Sequence, residues 1–295
     1  MMRRGGWIAA VIALAGCGGP ALTPAVPTPV PAPVRSPGPV AAPSRVSLPS
    51  RLPMTTWRVQ SVARVKVTGG GVTGAAAEEQ RVESGGLVSW SAERQPRGAL
   101  RATGQVDSFT VRTSFDTQRG TMLPTAPAIV LLEATLDSAF MRVATRPPLA
   151  NECDRPEAGA LSLARDLLVR VPNGLGSGDR WKDSSVTLIC RSGVPLTVYT
   201  TVNSRLETVD ADRLVVRREI VSRVEGKGGS AFRALELIGT AQGSQRVEIA
   251  PQRGTVERLE GSSTLTLTAI ERLPGAPARS QQIVQRTEIT AVRAR

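Results

Sequence analysis

A period of two in hydrophobicity constrains this chain more than any other feature. Trp57, Val59, Ser61, Ala63, Val65 and Val67 alternate with Arg58, Gln60, Arg64, Lys66 and Thr68, and only Val62 breaks the order. The alternation returns at Phe109, Val111, Thr113 and Phe115, at Val186, Leu188 and Cys190, and at Leu265 and Leu267 between threonines. Successive side chains of a strand point to opposite faces, so this pattern describes strands with one dry and one wet face. Such strands belong to antiparallel sheets, because parallel sheets are buried on both sides. Glycine-rich breaks at 69–71, 85–86, 174–178 and 226–229 are expected to separate them.

Two stretches read differently. After Pro127, the residues Ile129, Leu132, Leu136, Phe140 and Val143 recur at helical spacing and Pro147-Pro148 follows, which predicts a helix. Glu157 to about Arg165 predicts a shorter one. Gln-Arg-Gly-Thr occurs at 118–121 and again at 252–255, each some 60 to 70 residues after a tryptophan, Trp57 or Trp181. Gly120 and Gly254 would supply the positive φ of a hairpin loop. The expected fold is mainly β: a curved antiparallel sheet left unclosed as a half-barrel. One or two helices cover its concave face, and the halves read as duplicated.

The first 53 residues have another character. Arg3 and Arg4 precede an apolar core from Trp7 to Leu14, too short for the roughly 20 residues of a membrane span and suited to a signal peptide. Leu14-Ala15-Gly16-Cys17 then resembles the lipobox of bacterial lipoproteins. That resemblance implies cleavage before Cys17 and its lipidation by a thioether-linked diacylglycerol and an N-acyl chain. Residue 18 is Gly and not the Asp of inner-membrane retention, which by the same analogy points to the outer membrane. Eleven of the 22 prolines lie between residues 18 and 53, and no acidic residue precedes Glu78. Such a stretch is expected to be polyproline II, with an upper reach near 100 Å at roughly 3.1 Å per residue. The expected organisation is a signal peptide over 1–16, a lipid-anchored tether over 17–53 and a β domain over 54–295.

Gly178-Asp179-Arg180-Trp181 resembles the Gly-Asp-x-Trp segment of a group of bacterial lipoproteins that are similar to the LolA/LolB half-barrels. The resemblance implies an unclosed sheet whose helices enclose an apolar cavity for acyl chains. No ligand-binding residue of that family has a counterpart here. The cysteine count is three. With Cys17 lipidated, Cys153 and Cys190 remain as a pair for an oxidising compartment. A disulfide between them would stabilise the fold by about 4 kcal/mol in the loop-entropy model, and free buried thiols are the alternative.

The chain contains no histidine, which removes Ser-His-Asp and Cys-His nucleophiles and the commonest metal ligand. None of the three lysines completes a Ser-x-x-Lys pair. Gly174-Leu-Gly-Ser-Gly178 lacks both phosphate-loop spacings and reads as a turn, as do Asp210 and Asp212 between two strand runs. Glu78-Glu79 reads as an exposed loop. Nine aromatic residues are few for stacking sugars, which disfavours a carboxylate-pair glycosidase. No catalytic residue, metal or cofactor is therefore expected. The formal charge of +12 favours anionic partners such as phospholipid or lipopolysaccharide head groups, but 34 of the 37 basic residues are arginine and no basic groove with interleaved aromatics suggests nucleic acid. The expectation is a non-enzymatic outer-membrane lipoprotein, held to the membrane by its lipid anchor and binding an apolar or lipid-like ligand. The alternative is a structural or interaction lipoprotein with a filled core that docks onto another envelope component.

Overall fold

The computed structural model describes residues 45–69, 79–94, 100–115, 122–124, 129–137, 140–145, 156–191, 194–230 and 233–294. Long alternating stretches become long strands: β1 (Arg51–Gly69), β2 (Glu79–Arg94), β3 (Leu100–Phe115), β7 (Arg180–Arg191), β8 (Val194–Val209), β9 (Leu214–Ser230), β10 (Arg233–Ala250), β11 (Thr255–Arg272) and β12 (Arg279–Arg293). Three shorter strands, β4 (Met122–Pro124), β5 (Ile129–Asp137) and β6 (Phe140–Thr145), and the helix α1 (Pro156–Arg165) complete the described elements. Residues 43–295 form one compact unit.

The sheet closes on itself, so the expected unclosed half-barrel is wrong. The order runs β2-β1-β12-β11-β10-β9-β8-β7-β6-β5-β3, and β3 pairs back onto β2. Closure begins at β1, which holds β2 on one edge and the last strand, β12, on the other, in register from Trp57↔Arg293 to Gly69↔Gln281. A sheet left open at β1 would leave a row of unpaired N–H and C=O groups. The strip β4 lies outside this count of eleven wall strands. It pairs Thr110–Arg112 of β3, beyond the Asp107↔Ile129 end of the β3–β5 ladder.

The helix predicted after Pro127 is also corrected. Ile129–Asp137 and Phe140–Thr145 are strands, and Val130, Leu132, Ala134 and Val143 are the buried positions, while Ile129 is 51% exposed. The three- and four-residue spacing there was carried by side chains on both faces of a sheet. The glycine pairs Gly85-Gly86 and Gly226-Gly228 lie within β2 and β9 and do not end strands. Of the two Gln-Arg-Gly-Thr copies, 118–121 falls outside the described residues. In the second, Gly254 has φ 64° and ends the turn between β10 and β11.

Neighbouring strands are antiparallel except β6 and β7, which pair in parallel through Phe140↔Ser184 and Met141↔Ser185. A parallel pair needs a crossover. The connection between them carries α1, which touches β1, β2, β3, β5, β6 and β7. Its Ala160, Leu161, Leu163 and Ala164 are buried among inward-facing Trp57, Val59, Val88, Trp90 and Ala102. The expected helix on an open concave face is thus a helix inside a closed lumen. The indole Nε1 of Trp90 donates to Ala164 O at 3.3 Å, and that of Trp57 to Val256 O at 2.6 Å. From α1 the chain continues through buried Leu167, Leu168 and Val171 to a turn at 173–178. Residues 45–48 pair with that turn through Val46 N to Leu175 O and Gly174 N to Val46 O, both 2.8 Å. Val46 and Leu48 are buried in the same core, so the barrel's core includes the end of the proline-rich stretch.

The outer face carries Arg64, Arg223, Arg246, Arg258 and Arg286, with Arg223, Arg246 and Arg258 paired to Glu225, Glu248 and Glu260 two residues on. A lipid-facing barrel wears an apolar band there, and each such arginine at mid-bilayer would cost roughly 2–4 kcal/mol. At these positions the outer wall is charged.

Gly104 faces inward where the Trp90 ring crosses the wall: a Cβ there would lie 2.4 Å from Trp90 Cε3 and 2.5 Å from Ser89 O. Because one of those atoms is backbone, Gly104→Ala should lower stability by about 1–3 kcal/mol. Urea unfolding should show a lower midpoint at unchanged slope, and an unchanged midpoint would contradict this packing.

Candidate functional site in the barrel lumen

The inward positions at one level of the wall are small. Reading across the ladders, Ser84 lies opposite Ser61, Ala63 opposite Thr287, Thr287 opposite Ser263, and Ser263 opposite Gly243. Large side chains stand elsewhere on the same strands, as at Val59, Leu259 and Leu267, which are fully buried. Ser61, Ala241, Ser263 and Thr287 face inward yet are only half-buried. The space they leave is a cavity of ≈370 Å³. Val82, Val111, Val198, Ile220 and Leu265 give it an apolar surface, and the end of α1 supplies Leu163, Arg165 and Asp166.

Those last residues belong to a polar network. Asp166 Oδ1 accepts from Arg165 Nε at 3.4 Å, and its Oδ2 accepts from Gln245 Nε2 at 2.8 Å. A second guanidinium, Arg218 on β9, donates to Gln245 Oε1 at 2.7 Å and to Asp166 O at 3.3 Å. Arg165 also donates to Thr187 Oγ1 at 3.3 Å. Burial pushes the Arg218 pKa below its ordinary value, while Asp166 and Asp183 pull it back and Arg165 lowers it further. A half-satisfied network of this kind would be costly in a core, so its completeness matters. Beside it, Arg170 Nε donates to Asp183 Oδ1 at 2.6 Å. Burial nevertheless raises the Asp183 pKa, outweighing the lowering by Arg170, by Arg218 and by the neighbouring Trp181 indole.

The residues singled out in the sequence fall elsewhere. Cys17 and Cys153 lie outside the described residues, and of Cys190 only its backbone place in β7 is described. Gly174 and Gly178 have φ 82° and 92°, and Gly176 N donates to Asp179 Oδ2 at 2.8 Å, the turn chemistry expected of that loop. Trp181 is half-buried against the main core. Asp212 Oδ1 accepts from Gln252 Nε2 in the β8–β9 turn. Glu79 opens β2. Among the described residues no three His, Cys, Asp or Glu side chains gather as a metal site. The cavity residues carried a signal all the same: serine, threonine or glycine at inward positions of otherwise apolar alternations, as at Ser61 between Val59 and Ala63.

Compared with protein-family models and with curated proteins, the chain matches none.

The raised Asp183 value has a pH signature. The native protein takes up this proton before the unfolded chain does, so stability rises as pH falls from the raised native value towards the ordinary one. The stability of the wild type relative to Asp183→Asn should therefore increase on acidification through that window. Paired urea titrations at several pH values would show it, and a relative stability that falls in acid would contradict the burial of this carboxylate.

Proposed function

We propose that this chain is a non-catalytic, lipid-anchored protein of the cell envelope whose barrel carries a small molecule with an apolar body in its lumen. One observation carries the reading: small inward residues on β1, β2, β10, β11 and β12 converge on one space of ≈370 Å³, at the lower end of ordinary ligand pockets. Its surface mixes valine, leucine and isoleucine with a few convergent polar groups, the composition that suits such a ligand. A core filled by its own helix would leave no such space, which disfavours the purely structural alternative.

The address comes from the N-terminus. In this reading Cys17 is lipidated and holds the protein to the outer membrane, and the proline-rich stretch spaces the barrel from the lipid. The charged outer wall fits a barrel that faces water beside a membrane. Cys153 and Cys190 form its disulfide. No cofactor, metal or nucleic acid enters this function, in keeping with the missing histidine and the small aromatic count.

Native mass spectrometry of the full chain purified from the envelope tests both parts together. The expected spectrum has a lipidated N-terminal Cys17 and an additional non-covalent mass of acyl size. An unmodified Cys17 would overturn the anchor, and a ligand-free barrel that takes up no fluorescent fatty acid would overturn the carrier.

A further inference from the structure

The donors and acceptors at the cavity's polar end are unequal. The oxygens of Ala164, Arg165 and Asp166 at the end of α1 are already engaged by the scaffold. Ala164 O takes Trp90 Nε1 and Leu167 N, and Arg165 O takes Leu168 N. Asp166 O takes Arg218, and the two carboxylate oxygens of Asp166 take Arg165 and Gln245. The donors are not used up. A guanidinium has five N–H groups, and the described bonds of Arg165 use one from Nε and one from NH1. The charges agree with this count. Three guanidiniums, Arg165, Arg170 and Arg218, meet two carboxylates, Asp166 and Asp183. Arg165 lines the cavity with about a quarter of its side chain exposed. The polar end is therefore rich in donors and one positive charge in excess, while Val82, Val111, Val198, Ile220 and Leu265 supply the apolar part of the lining.

The geometry points to Arg165 as the receptor for an anionic head group, which makes the preferred occupant a single-chain carboxylate. This assignment rests on the carrier function proposed above and adds the class of its ligand. The volume favours one short chain over a diacyl lipid. A carboxylate suits the site because it only accepts, and the planar guanidinium fork offers it two parallel N–H groups. An amine would bring a further cation to a place that already has one in excess.

Three probes of one chain length separate the ligand class from the carrier function: decanoate, 1-decanol and decylamine, titrated by calorimetry at pH 7.5 into residues 43–295. Decanoate should bind about 10-fold tighter than decanol or better, as expected of a charge-assisted hydrogen bond. R165Q should bring decanoate down to the affinity of decanol and leave decanol unchanged, whereas Arg165→Lys should keep part of the preference. Equal affinities for decanoate and decanol, or tighter binding of decylamine, would overturn the head-group assignment and leave the carrier function standing. So would an R165Q protein that loses both ligands alike, because that marks a structural role. Binding of none of the three would overturn both.

Discussion

Eleven strands cannot alternate in direction all the way round a ring. An odd barrel must contain one like-directed pair, and here it is β6 beside β7, joined by only two residue pairs. Hairpins cannot make that join, so the chain must leave β6, cross and re-enter at the opposite end of the next strand. In this protein the crossover passes through the lumen. Residues 160–171 fill one part of the barrel with Ala160, Leu161, Leu163, Leu167, Leu168 and Val171, and Arg165 and Asp166 at the helix end form the polar end of the remaining space. Parity requires the crossover, and its passage through the lumen supplies the plug, the polar end of the cavity and the Asp166 side of the buried network.

Closure also explains how the stabilising contributions divide. Inside, each strand gives its inward face to a dry core, at roughly 25 cal/mol per Å² of apolar surface removed from water. The buried indoles of Trp57 and Trp90 find carbonyl partners there, so neither leaves an unpaired donor. Outside, the arginine–glutamate pairs two residues apart are exposed and worth little individually. They keep the wall wet, and ring closure pairs β1 and β2 on both sides, which removes the template that a sheet left open there would offer other chains. The narrow β6–β7 seam is the weakest stretch of this wall among the described residues.

Much of the strand content was legible because the period of two is a local signal. Trp57 to Val67 reads as a strand without knowledge of its partners, and α1 was visible from Glu157 to Arg165. Closure was not legible, because the pairing of Trp57 with Arg293 spans almost the whole domain and leaves no mark on either strand. The misread helix at 129–143 has a physical reason: Ile129 and Leu131 are apolar but point outward, at about half exposure, and so imitate a second periodicity. The cavity was half legible. Ser61 and Ser263 were visible as polar residues on dry faces, but only the closed ring brings them to one level. Arg218 and Gln245 carried no sequence signal, since arginines alternate along many of these strands.

The small residues around Ser263 face a space and not a packed core. Replacing Ser263 by leucine tests this directly through the free energy of unfolding. A side chain added to a filled interior costs about 1–3 kcal/mol, whereas one added to an open cavity lined by valine and leucine leaves stability unchanged or raises it by about 0.5–2 kcal/mol. Ser263→Leu should be at least as stable as the wild type, and a loss of about 1 kcal/mol or more would contradict an open lumen at this level.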